Sequence, residues 1–138
     1  ATQDAKQKGF DEAILLDQSG NVSEAPGENI FLVKNKTLVT PSLSSSALDG
    51  ITRKTIIALA KDMKLRTVIR KVTKKELKTA DEIFLSGTAA EITPVIKIDK
   101  KKIGDGKIGN ITTMFMETYS DIVMNRNKKY SQWLTPVF

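Results

Sequence analysis

Hydrophobic residues follow two rhythms along this chain. Ile30-Phe31-Leu32-Val33 is an unbroken apolar run, and Leu38-Val39 follows it across the polar triplet Lys34-Asn35-Lys36. Short apolar runs bounded by turn residues predict strands, here 29–33 and 37–40 joined as a hairpin. Ile56, Leu59, Ala60 and Met63 instead recur at the three- and four-residue spacing of one helix face. That stripe predicts a helix entered through Leu48-Asp49-Gly50 and ended by Lys64. Ala13 to Leu16 reads as a strand closed by the turn residues 17–20, Ser42 to Ser46 as a loop, and Arg66 to Val72 as another strand. Thr73-Lys74-Lys75-Glu76 has the spacing of a capping box, which predicts a short helix through Thr79. Glu82 to Leu85 reads as a buried strand, Glu91 to Ile98 as extended chain containing Pro94, and Gly104 to Gly106 as a turn. Ile111, Phe115, Thr118, Tyr119 and Ile122 line one side of a last helix ending near Arg126, with Met114, Met116 and Met124 as core filler. Ala1 to Lys8, followed by Gly9, look like the close of a helix, so the natural chain is expected to continue upstream. Alternating strands and helices predict one α/β domain over 1–138, with α+β as the variant and strand order open.

Composition narrows the chemistry. With 138 residues, 40% hydrophobic and 28% charged, the chain can build one real core. It has no histidine and no cysteine, which excludes Ser-His-Asp and Cys-His nucleophile systems, thiolate or imidazole metal sites and disulfides. Only oxygen ligands could hold a metal, and no metal site is expected. No apolar run reaches the roughly 20 residues of a membrane span, so the chain reads as cytoplasmic, with no membrane partner. The formal charge of +6 raises the question of an anionic partner. However, Arg70-Lys71, Lys74-Lys75 and Lys100-Lys101-Lys102 are scattered, with few aromatics between them to stack bases. They read as a solvated face, and no nucleic acid is expected.

Three segments set small and polar residues against apolar strands or a helix start: Ser23 to Asn29, Leu48 to Arg53, and Ser86 to Glu91. Each alone has an ordinary reading: Glu24 as a turn carboxylate, Asp49-Gly50 as a helix entry, Gly87 as a bulge. Together, Glu24 to Phe31, Leu48 to Arg53 and Ser86 to Val95 resemble, in order and wording, the motifs of the fold-type IV pyridoxal-phosphate enzymes, and within them the branched-chain amino-acid aminotransferases. The resemblance runs from about Gly9 to Val95 without an obvious gap. It implies the large C-terminal domain of the D-amino-acid aminotransferase-like fold, belonging to a longer chain whose small N-terminal domain is absent here.

The resemblance also assigns roles. Glu24 is the catalytic carboxylate opposite the cofactor's pyridine nitrogen. Ile51 and Thr52 amides and the Thr52 and Thr88 hydroxyls take the pyridoxal-phosphate phosphate at the helix start that Gly50 opens. Gly27 and Leu48 lie along the ring faces, and the N–H groups of Thr88 and Ala89 face the substrate carboxylate. Ala25 stands where the family usually has glycine, and Pro26 removes one donor. The family's Schiff-base lysine lies upstream of the position of Ala1, so these residues alone are expected to be inactive. The full enzyme implied here exchanges amino groups between leucine, isoleucine or valine and 2-oxoglutarate, as a homo-oligomer. Alternatives are a D-amino-acid transaminase, an aminodeoxychorismate lyase, or a non-catalytic anion-binding module.

Overall fold

A computed structural model describes residues 15–16, 21–25, 28–42, 50–87, 91–99 and 101–123. The expected helix over 1–8, the turn over 17–20, nearly all of the 42–46 loop and the end of the last helix lie outside them. The described elements run β1 (Leu15–Leu16), β2 (Val22–Ala25), β3 (Glu28–Lys34), β4 (Thr37–Thr40), α1 (Ile51–Asp62), β5 (Thr67–Ile69), α2 (Lys74–Thr79), β6 (Glu82–Gly87), β7 (Glu91–Val95), β8 (Lys97–Ile98), β9 (Lys101–Lys102) and α3 (Asn110–Val123).

Among the described residues, seven strands form one mixed sheet centred on β3. On one edge β3 pairs with β6 over residues 29–33; on the other, its first residues pair with β2 and its last with β4. β7 lies outside β6, and β5 joins β4 in parallel, whereas the other pairings are antiparallel. Both faces are covered, which is why β3 is apolar at every inner position. Ile30 and Leu32 enter a cluster with Val39, Val72, Leu77, Ile83, Leu85 and Ile103, while Phe31 and Val33 enter another with Leu38, Phe84 and residues of α1 and α3. Phe31 stacks on Phe84 at 5.0 Å, and Phe84 meets Phe115 of α3 at 5.5 Å.

Local chemistry sets the element ends. Asn35 and Lys36 both have positive φ, 50° and 59°, as a two-residue primed hairpin turn requires. Ile56, Leu59 and Ala60 bury the expected face of α1, with Met63 packed at its edge. The helix closes in a Schellman arrangement: Lys64 has φ 59°, its N–H reaches the Lys61 carbonyl, and the Leu65 N–H reaches that of Ala60. The Thr73–Glu76 capping box is present at α2.

Three expectations are corrected. The 66–72 strand is only 67–69; Arg70 still bonds across to Thr40 and Ser42, and beyond it Val72 leaves this ladder to accept the Val22 N–H at 2.7 Å. The 91–98 stretch breaks at Ile96 into β7 and a separate β8–β9 hairpin. Pro94 is accommodated because β7 is an edge strand, paired with β6 alone among the described residues. Lastly, Glu24 lies in a strand, not in a turn.

Candidate functional site

The described parts of the three sequence segments meet at the start of β3. Asn29 is the register partner of Glu24 on β2 and of Ser86 on β6, so the first and third segments become neighbours through the ladder. Ser86 in turn faces Ile92 of β7. The second segment arrives from above the sheet. Side chains alternate along β3, and Phe31 and Val33 point into the cluster shared with α1. Asn29 shares their face, and its Oδ1 lies 2.7 Å from where a Cβ on Gly50 would be. Gly50, the residue before α1, has φ −71° and ψ 151°, which any residue can adopt; it is glycine because of that close approach.

The start of α1 is open in a chemical sense. The first N–H groups of any helix lack intrahelical acceptors and carry partial positive charge. Gly50 has no side chain with which to cap α1, and no acid stands in the first turn of the helix. A buried arginine does stand there: Arg53 donates to the Pro41 carbonyl at 3.1 Å. Thr52 is buried, with its hydroxyl 3.3 Å from the Tyr119 phenol of α3. The Ser86 hydroxyl is fully buried and has no hydrogen-bond partner among the described residues.

The other long helix begins differently. Glu82, at the head of β6, accepts the Thr112 N–H at 2.7 Å and the Ile111 N–H at 3.3 Å, sealing the start of α3 with a carboxylate.

Of the residues singled out from the sequence, Glu24, Gly50, Ile51 and Thr52 fall at this junction, Glu24 through its backbone register. Gly27, Leu48, Thr88 and Ala89 lie outside the described residues. Asn29, Ser86 and Tyr119 were not assigned a part in it. A polar residue heading an otherwise apolar strand was the available signal for Asn29; Tyr119 carried none, since its helical spacing reads as core. Among the described residues no cluster of acids could hold a metal ion, and no helix is long and apolar enough to cross a membrane.

A model of the amino-transferase class IV family matches residues 1–98. This chain belongs to the class IV aminotransferases. A probable branched-chain-amino-acid aminotransferase of Aquifex aeolicus (strain VF5) is 48% identical over 139 residues, taking in 100% of this chain and 45% of that protein. The branched-chain-amino-acid aminotransferase of Pseudomonas aeruginosa is 41% identical over 99% of this chain and 44% of its own length. Among solved structures, the branched-chain aminotransferase of Thermoproteus uzoniensis with norvaline has a TM-score of 0.94 at 46% identity, covering 100% of this chain and 46% of that one. The Thermobaculum terrenum enzyme in PLP-form (holo-form) has a TM-score of 0.95 at 40% identity, covering 100% and 45%. The class IV α/β fold is therefore shared across the whole chain, which spans slightly under half the length of these relatives.

Proposed function

We propose that residues 1–138 are the C-terminal cofactor-binding domain of a branched-chain amino-acid aminotransferase, and that the α1 start is its phosphate site. The observation that carries this is the convergence at Asn29, with Glu24 and Ser86 beside it in the ladder and the start of α1 against it. A helix N-terminus that opens at glycine with no acid in its first turn suits an anion, and the buried Ser86 hydroxyl without a partner among the described residues marks an unfilled polar position nearby. These residues fit pyridoxal phosphate.

When bound, the cofactor supplies an electron sink for the pair released as the substrate Cα proton departs. In this reading the Glu24 carboxylate keeps the pyridine nitrogen protonated. The Ile51 and Thr52 N–H groups, with the Thr52 and Thr88 hydroxyls, hold the phosphate. Gly27 and Leu48 shield the ring from water, and the Thr88 and Ala89 N–H groups hold the substrate carboxylate. The cofactor's lysine and the rest of the substrate pocket come from the upstream part of a longer, homo-oligomeric chain, so 1–138 alone does not transaminate. Complete, the enzyme moves amino groups between leucine, isoleucine or valine and 2-oxoglutarate.

Single-turnover spectroscopy of the full-length protein tests this. L-leucine, L-isoleucine and L-valine should convert the bound cofactor to its amino form, and 2-oxoglutarate should restore it. Conversion by D-alanine but not by the L-amino acids would assign a D-amino-acid transaminase instead. For the 138 residues alone, borohydride reduction after incubation with pyridoxal phosphate should label lysines in a scattered, substoichiometric way. A single labelled lysine with measurable exchange would contradict the assignment.

A further inference from the structure

We infer that Asn29 is a positioning residue that sets the phosphate-binding start of α1 against the strands carrying Glu24 and Ser86, an inference that rests on the α1 start being the phosphate site. Asn29 is 6% exposed, in a strand whose next two residues on the same face are Phe31 and Val33. Asparagine is disfavoured in strands, so its presence at a buried strand position points to a role there. Its place shows what that is. The backbone ladder fixes Asn29 relative to Glu24 on one side and Ser86 on the other. Its Oδ1 lies 2.7 Å from where a Cβ on Gly50 would stand, so Asn29 packs against the residue at which α1 begins. Gly50 is followed directly by Ile51 and Thr52, so a shift of α1 on Asn29 passes undiminished to the phosphate donors while Glu24 stays with the sheet. Asn29 therefore bears on the distance between the two ends of the cofactor site, alongside the packing of Ile56, Leu59 and Ala60 on the sheet. A Cβ at Gly50 and a shortened side chain at Asn29 would disturb the contact between them in opposite directions.

The test uses the full-length protein, comparing pyridoxal phosphate with pyridoxal, which lacks the phosphate. Asn29→Ala should weaken pyridoxal phosphate about tenfold, the scale of one lost charge-assisted contact, while pyridoxal binding changes less than about threefold. Apo thermal stability should fall by only a few degrees. A merely structural role would lower affinity for both ligands alike. Asn29→Ser, which retains a short polar side chain, should behave in the same direction and serves if the alanine variant does not fold. Gly50→Ala should give the same selective loss, and Asn29→Ala/Gly50→Ala should lose less than the product of the single effects, since both act at one contact. Wild-type selectivity for pyridoxal phosphate over pyridoxal in the Asn29 variants would overturn the inference. Thr52→Val separates that failure from failure of the underlying reading. If Thr52→Val loses selectivity and the Asn29 variants keep it, Asn29 has no such role; if Thr52→Val also keeps it, the phosphate lies elsewhere and both claims fall.

Discussion

Both long helices begin at a glycine crowded by a side chain from a neighbouring strand, and the difference between the two side chains separates structure from function. At α3 a Cβ on Gly109 would overlap the Glu82 carboxylate, which accepts the Ile111 and Thr112 N–H groups. The negative charge offsets the helix dipole and satisfies the donors, so that end is closed from within the protein. At α1 the crowding group is the neutral amide of Asn29, which lies against Gly50, and no acid stands in the first turn. In the proposed reading, the donors and dipole there serve an anion from outside. Substitutions at the sealed end should change stability and leave cofactor binding alone; those at the open end should do the reverse.

The largest effect is expected on the open side. In the full-length enzyme, Glu24→Gln should lower the turnover number about 10²–10³-fold with little change in cofactor affinity, because an amide cannot hold the ring nitrogen protonated. An unchanged turnover number would remove Glu24 from that role. At the sealed end, Glu82→Ala should reduce unfolding free energy by about 2 kcal/mol, since two part-buried donors lose a charged acceptor. Urea titration reads this, and pyridoxal phosphate affinity should stay at the wild-type value; an equal fall in affinity would blur the distinction between the ends.

The third helix start gives a smaller effect with a pH signature. Partial burial would raise the Glu76 carboxyl, but the Arg70 guanidinium at 2.7 Å and the Thr73 hydroxyl and N–H outweigh it, so its pKa lies below the ordinary carboxylate value. A carboxyl depressed in the folded state stabilises above its unfolded pKa, and the stability is lost as pH falls through the folded value. Thr73→Ala should therefore cost about 1 kcal/mol at neutral pH, and the difference from wild type should shrink in acid. A constant difference down to pH 3 would show that the carboxylate is not involved. Smallest of all, Tyr119→Phe removes a phenol 3.3 Å from the Thr52 hydroxyl and should weaken cofactor binding by no more than about threefold.

How much of this could be read from the sequence depended on how local the determining contacts were. The α2 capping box needs only residues three apart, and the β3–β4 turn only the polar triplet between two apolar runs. The length of β5 was not legible, because it depends on pairing with β4, nearly thirty residues earlier in the chain. Nor was the β8–β9 hairpin, whose register sets Lys97 opposite Lys102, a like-charge pair that no strand pattern would suggest. The motif residues Glu24, Gly50, Ile51 and Thr52 were identifiable through resemblance, and the structure gathers their backbones at one junction. The contacts that join them, Asn29 to Gly50 and Tyr119 to Thr52, span 21 and 67 residues and exist only once sheet and helices have packed.

The open end of α1 can be probed one donor at a time. Ile51 is the first helical residue, where proline is well tolerated, and Gly50 before it already has the extended backbone that a following proline requires. Ile51→Pro therefore deletes a single N–H from the proposed phosphate site without breaking the helix, and Ile51→Val controls for the altered side chain. Measured as the dissociation constant of pyridoxal phosphate from the full-length protein, Ile51→Pro should weaken binding about tenfold relative to Ile51→Val, with pyridoxal affinity and apo stability matched between the two. Equal pyridoxal phosphate affinity in the two variants would contradict the assignment of the α1 start as the phosphate site.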